Sequence, residues 1–190
     1  MKDLFGQALL DFQKGKFTED IITSTNISED DILPISYLFR DFKNMPKLEQ
    51  KAIKSANGSI LDVGCGAGSH SLYLQEKGFQ VKSLDISKGA IQVCKLRGLK
   101  NVEVKDILNE TETFDTILLL MNGSGIFQEL SQVSKYLTHL KSLLNPKGQI
   151  FIDSSDIKYM YEDDDGGFWI DAHANYYGEL DYYLSYKGKK

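Results

Sequence analysis

The sequence predicts a doubly wound α/β fold with a mostly parallel sheet, and three observations carry that prediction. An apolar run, Ile60–Val63, passes directly into the turn Gly64-Cys65-Gly66-Ala67-Gly68. Strand-like and helix-like segments then alternate as far as Asp153, the pattern of βαβ units in a parallel sheet. Within them, Phe114–Met121 is apolar without alternation, as a strand covered on both faces should be.

Each element has its own signal. Phe5, Ala8, Leu9 and Phe12 fall at helical spacing, so residues 3–13 read as a short amphipathic helix. A polar loop is expected next. Ser28-Glu29-Asp30-Asp31 resembles a capping box ahead of Ile32, Ile35, Leu38, Phe39 and Phe42, which predicts a second helix. Pro46 opens a third, with Leu48, Ala52 and Ile53 on its apolar face and Asn57-Gly58 at its end. Residues 1–57 thus read as a helical cap without strand alternation, and residues 58–190 as the main domain. In that domain the expected strands are Ile60–Val63, Gln80–Leu84, Val102–Val104, Phe114–Met121 and Gln149–Asp153. The expected helices are Ser69–Lys77, ended by Gly78, one capped by Ser87 and ended by Gly98, and a five-turn helix from Ile126 to Leu144. Asn145-Pro146-Lys147-Gly148 fits a type I turn. Leu180, Tyr182, Leu184 and Tyr186 alternate, which predicts a sixth strand.

Composition narrows the function classes. The chain has 190 residues and a net charge of -5, with one small basic cluster, Lys187, Lys189 and Lys190. That argues against nucleic-acid binding, which needs clustered Lys and Arg. No apolar run approaches the ~20 residues of a membrane span, and the polar N-terminus does not read as a secretory leader. A cytoplasmic location is expected. Cys65 and Cys94 give neither a disulfide framework nor metal-ligand spacing. The acids Asp163-Asp164-Asp165 read as a solvated loop, so no metal site is expected.

Ligands of such sheets bind outside the carboxyl ends of the strands. Those ends carry Gly64–Gly68, Asp85–Ser87, Asp106–Ile107 and Met121–Gly125. The run Ile60-Leu61-Asp62-Val63-Gly64-Cys65-Gly66-Ala67-Gly68 resembles motif I of the class I S-adenosylmethionine (SAM)-dependent methyltransferases at every position. The resemblance implies SAM as cofactor, S-adenosylhomocysteine (SAH) as product, and methyl transfer to an oxygen, nitrogen or carbon of a small molecule. It implies that Gly64, Cys65, Gly66 and Gly68 shape the cofactor loop and that Asp62 supports it. Asp85, close to the ~20-residue interval expected of a ribose-binding acid, would hold the ribose hydroxyls with Ile86 beside it. Asp106 would bond the adenine and Ile107 flank the ring, while Met121 would face the methyl group.

Asn122 and His70 are the candidate catalytic or substrate-orienting residues. For each, the competing reading is structural: a turn residue for Asn122, a partly exposed cap for His70. Tyr37, Phe39 and Arg40 could form a lid, against the plainer reading that Phe39 is core and Arg40 solvated. Tyr161, Trp169 and His173 could line a substrate pocket. The Asp/Asn-Pro-Pro-aromatic motif of nucleic-acid amino-methylating relatives is absent at Met121–Gly125.

Three other readings of the glycine turn compete with this one. A nicotinamide-dependent oxidoreductase would need Gly or Ala where Ser69 stands. An aminopropyl transferase would carry a loop like Gly-Gly-Gly-Asp-Gly. A SAM-binding protein without catalysis is the third, since methyl transfer asks little of the protein beyond alignment. Members of the resembled family continue into a seventh, antiparallel strand. The sequence supplies none, so a C-terminally truncated chain is expected, with a bare sheet edge through which it could form a homodimer.

Overall fold

The computed structural model describes residues 2–170 and 176–190. Five parallel strands form the central sheet: β3 (Ser59–Val63), β4 (Gln80–Asp85), β5 (Val102–Val104), β6 (Phe114–Leu119) and β7 (Leu144–Ile152). Their order is β5-β4-β3-β6-β7, so β3 is central and the chain reverses direction across the sheet between β3 and β6. That reversal is the switch point at which such sheets bind ligands.

Strand alternation sorts the core into two layers. Leu61, Val63, Ile117 and Leu119 pack with Tyr136 and Leu140 of α6 (Val133–Ser142). Ile60 and Leu118 face the other way, onto Ala52 and Ile53 of α3 (Lys47–Ser55) and Leu74 of α4 (Ser69–Glu76). All four of the central apolar residues Leu61, Ile117, Leu118 and Leu119 are fully buried, as the unalternated sequence requires.

The N-terminal segment departs from the expectation. Residues 21–33 form a hairpin, β1 (Ile21–Thr25) and β2 (Asp31–Leu33), and β8 (Tyr182–Ser185) joins it in an antiparallel three-stranded sheet. The β-branched run Ile21-Ile22-Thr23-Ser24-Thr25 favours a strand. Ser28 caps no helix: its hydroxyl accepts from the Thr25 amide (3.1 Å) and the Thr25 hydroxyl (2.9 Å) within the hairpin turn. Only four residues of the expected second helix are helical, α2 (Ile35–Leu38). The expected sixth strand exists as β8, but it pairs with β1 rather than with the central sheet.

Two other expectations change. The five-turn helix shrinks to α6, because Gln128 has a positive φ (65°) that no right-handed helix allows and Glu129 is extended, so 3-10 turns at Gly123–Phe127 and Leu130–Gln132 replace its start. Asn145–Gly148 is not a type I turn, since Lys147 has φ 68°. It is a bulge in β7 instead: Phe114 pairs with Leu144 but Thr116 with Gln149. Among the described residues β7 pairs only with β6, and no helix is long and apolar enough to cross a membrane.

The N-terminal helix α1 (Leu4–Gln13) crosses α5 (Lys88–Leu96) at a glycine pair. A Cβ on Gly89 would stand 2.5 Å from the Gly6 backbone. Asp3 fixes the crossing. Its carboxylate accepts from the Gly6 amide (2.8 Å), the Ser87 hydroxyl (2.9 Å) and the Gly89 amide (2.9 Å), capping two helices at once. At the far end of α1, Asp11 accepts from the Tyr186 hydroxyl (3.1 Å) and the Lys187 ammonium (2.7 Å). Gly89→Ala should therefore lose about 1–3 kcal/mol in urea unfolding. Gly125→Ala, with open space around it and no left-handed backbone, should stay within about 1 kcal/mol of the parent.

Candidate active site

The glycine turn is built by backbone geometry. Gly64, Gly66 and Gly68 have φ of 71°, 54° and 82°, conformations that side-chain-bearing residues seldom adopt. The amides of Gly64 and Cys65 both donate to the Leu84 carbonyl (2.9 and 3.0 Å), which holds the turn against the end of β4. Gly68 also has no room for a Cβ, which would meet Leu99 at 2.6 Å and the Cys94 sulfur at 2.9 Å.

Asp85 lies at the centre of this arrangement. One carboxylate oxygen accepts from the Gly66 amide (2.9 Å) and the other from the Ser87 amide (2.8 Å). Burial raises its pKa above the usual aspartate value, while those two amides pull it down. Each oxygen keeps a further lone pair for a ligand. The Ser87 hydroxyl accepts from the Ala90 amide (3.0 Å) and donates to Asp3, so the start of α5 is clamped from both sides.

A cleft of about 220 Å³ opens over these strand ends, walled by Gly64, Asp85, Ile86, Asp106, Ile107 and Ile126. Ile126 roofs it, reaching 3.1 Å from where a Gly64 Cβ would be. Five of the sequence-predicted cofactor residues thus share one cavity. Asp106 accepts from the Leu108 amide (2.8 Å), and Ile107 is buried with its carbonyl on His139 (2.8 Å).

The other predicted residues lie outside that cavity. Asp62 is buried, and Ser71 on α4 donates to it (2.5 Å), taking a hydrogen bond from Ser83 in turn. Burial raises the Asp62 pKa. Asp62 therefore ties β3 to α4 rather than bonding loop amides. The Cys65 and Cys94 sulfurs are 3.8 Å apart behind the turn, and that contact, with burial, pushes the Cys65 thiol well up. Met121 and Asn122 are left-handed (φ 66° and 58°). Asp153 holds this corner by accepting from the amides of Met121 (3.1 Å) and Gly123 (3.0 Å), and Asn122 accepts from the Ser155 hydroxyl (2.8 Å).

His70 is not a partly exposed cap. It is buried, 2.7 Å from Glu49, which also pairs with Arg40 at 2.5 Å. Burial would push the Glu49 carboxyl up, but His70 and Arg40 hold it below its ordinary value. Arg40 is likewise buried rather than solvated, stacked 4.1 Å from the Tyr37 ring centre and donating to the Tyr37 carbonyl (2.7 Å). This cluster was not foreseen. Its signal was present on α3: Glu49 shares the buried face with Ala52 and Ile53, whereas Leu48 is 61% exposed. The same strap, residues 37–40, lies on the glycine turn, because the Ser69 hydroxyl donates to the Leu38 carbonyl (2.9 Å). Arg97 bridges the carbonyls of Ala67 (2.6 Å) and Phe39 (3.4 Å).

Of the remaining candidates, Tyr161 donates to the Tyr177 carbonyl (2.7 Å) and the exposed Trp169 donates to Asp163 (2.7 Å). His173 lies outside the described residues. Asp163 is occupied as an acceptor for the amides of Gly167 (2.6 Å) and Asp165 (3.1 Å).

Comparison with known proteins agrees with this geometry. A family model described as a methyltransferase domain matches residues 54–188. A crystal structure of a SAM-dependent methyltransferase from Bacteroides fragilis in complex with SAH superposes with a TM-score of 0.90 at 42% identity, covering 99% of this chain and 77% of that one. A cypemycin N-terminal methyltransferase from a Streptomyces species is 29% identical over 103 residues, 52% of this chain and 42% of its own. A 2-heptyl-1-hydroxyquinolin-4(1H)-one methyltransferase from Mycobacteroides abscessus is 44% identical over 61 residues, 29% of this chain and 27% of its own. The chain thus spans less than half of each of these two curated relatives. The chain belongs to the SAM-dependent methyltransferases, and SAM is its cofactor.

The loop bearing Asp106 and Ile107 hangs on Glu110. Burial would raise the Glu110 pKa, but the Glu112 amide, Lys82, the Thr111 amide and Lys105 together bring it to about 2. Lys82 is 2.9 Å from it and Lys105 3.2 Å. A carboxylate whose pKa falls on folding stabilises the protein above its unfolded pKa, here 4.5, and that contribution fades as the pH drops toward 2. Between about pH 5 and pH 2 the parent should lose on the order of 2–3 kcal/mol more stability than Glu110→Gln. Urea unfolding at stepped pH measures this.

Proposed function

We propose that this chain transfers a methyl group from SAM to a small-molecule acceptor, with residues 1–57 capping the cofactor-binding part formed by residues 58–190. The observation that carries the reading is the convergence of Gly64, Asp85, Ile86, Asp106 and Ile107 on one cleft at the switch point of the sheet. When bound, SAM supplies a methyl group on a positively charged sulfur. Asp85 accepts hydrogen bonds from the ribose hydroxyls through the lone pairs its two amide partners leave open. Asp106 accepts from the adenine amino group, and Ile86 and Ile107 bracket the ring. The small residues of the glycine turn let the methionine portion lie against the backbone. Met121 and Asn122, in left-handed geometry at the end of β6, border the methyl position. The protein orients the acceptor and excludes water, which is most of what direct displacement needs.

A small-molecule acceptor, rather than a nucleic acid, suits the net charge of -5. The two free, buried thiols suit a reducing compartment, which supports a cytoplasmic location. The outer edge of β7 is the surface through which a homodimer would form.

Asp85→Ala should weaken SAH binding by about 10- to 100-fold, the loss of one or two charge-assisted hydrogen bonds. Isothermal titration calorimetry reads it, and an unchanged dissociation constant would remove Asp85 from the cofactor site. Because the Asp85 pKa is raised, SAH binding by the parent should begin to fail at a higher pH than an ordinary aspartate would give.

A further inference from the structure

The cleft over the strand ends has one buried polar side chain that the fold itself does not employ. Tyr136 on α6 borders the cleft together with Asp106, Ile107 and Gln128. It is 7% exposed, and its ring packs on Phe127 with centroids 5.2 Å apart. The adjoining Leu137 is 41% exposed, so α6 turns a tyrosine inward and a leucine out. A buried tyrosine ordinarily gives its hydroxyl a partner. Among the described residues the Tyr136 hydroxyl has none. Nor is it sealed: among those residues the one enclosed side-chain nitrogen or oxygen without a partner is Arg40 Nε. The Tyr136 hydroxyl therefore opens on the space its residue borders, which is the cleft.

The other polar groups of that wall behave differently. Lys105 is paired with Glu103 and Glu110. Asp106 accepts from the Leu108 amide through one carboxylate oxygen and keeps the other. Gln128 is exposed, and its amide can donate or accept, so it enforces no single pattern. Burial and the Asp106 carboxylate raise the Tyr136 pKa, so the hydroxyl keeps its proton and can donate it. The cleft thus sets an acceptor, Asp106, beside a donor, Tyr136.

We propose that Tyr136 is a specificity-determining residue for the cofactor: its hydroxyl donates to a ring nitrogen beside the adenine amino group, while Asp106 accepts from that amino group. The proposal rests on the reading of Asp106 as the adenine contact. The amino group of adenine is flanked by two unprotonated nitrogens, N1 and N7. A base with a carbonyl in place of the amino group turns an acceptor toward Asp106 in the same placement. Leaving a polar group of the site unpaired is what lets a site reject such an analogue. A phenylalanine would fill the same part of the core, so the ligand and not the packing accounts for the hydroxyl.

Isothermal titration calorimetry with SAH and its 1-deaza and 7-deaza analogues tests this, since each analogue replaces one of the two ring nitrogens by C–H. Tyr136→Phe should weaken SAH binding about 3- to 10-fold, the scale of one neutral hydrogen bond. For the analogue that lacks the contacted nitrogen, parent and variant should bind alike. Without ligand, the urea midpoint of Tyr136→Phe should match that of the parent, because the hydroxyl holds nothing in the protein. An unchanged SAH affinity, a penalty that persists with both analogues, or a lowered ligand-free midpoint would overturn the proposal. If Asp106→Ala bound SAH as tightly as the parent, the adenine assignment beneath the proposal would fall instead.

Discussion

The carboxylate of Asp85 is the contact on which the rest of the upper face depends. A charged group at the buried end of a strand needs donors, and Asp85 finds them in two amides from opposite directions. Gly66 offers one only because its backbone is left-handed, and Ser87 offers the other as the cap of α5. The glycine turn and the first turn of α5 are thereby held in fixed relation. Asp3 extends the arrangement by joining Ser87 and Gly89 to the start of α1. A chain of four residues, Gly66, Asp85, Ser87 and Asp3, thus connects the floor of the cleft over the strand ends to the first helix.

A second set of contacts secures the other side of the turn. Glu49 pairs with Arg40 and hydrogen-bonds His70 in a buried cluster, and Ser69 and Arg97 hold the 37–40 strap by its carbonyls. A buried ion pair gains little net energy over an apolar substitute, yet removing one partner is costly. Such a cluster tolerates one arrangement and penalises others, which suits a strap whose position fixes the first turn of α4. Asp62 adds to the same effect from below through Ser71.

The sequence was most legible where one local rule governed. The βαβ alternation, the capping serine at Ser87 and the helix-ending glycines at 78 and 98 all act over a few residues, and the structure has each of them, whereas α3 ends at the extended Ala56, two residues before Gly58. The three left-handed glycines and Asp85 were readable because only those residue types meet the geometry. Legibility failed where a distant partner decided. The hairpin of β1 and β2 is completed by β8, at the opposite end of the chain, and nothing near Ser28 announces that. Arg40 and His70 read as ordinary surface or cap residues because their shared partner, Glu49, was hidden behind the apolar look of Leu48. In the 126–144 segment the apolar spacing was real, but the positive φ at Gln128 broke the helix. That is a conformational constraint the side-chain pattern does not express.

The antiparallel sheet carries a consequence for how the chain is made. Ile22 pairs with Ser185 and Thr25 with Tyr182, and Asp11 meets Tyr186 and Lys187. β1 therefore waits for a strand made after the whole central sheet. Until then β1 has only β2, and an isolated two-stranded hairpin is marginal in water. The local βαβ units can form as they emerge, whereas the roof of β2, β1 and β8 must close a loop spanning most of the chain. Early in synthesis the buried face of α1, with Ala8 and Leu9, has no cover from Leu184 and Tyr186. The order of emergence thus makes assembly of the upper face a late step, finished only when β8 arrives.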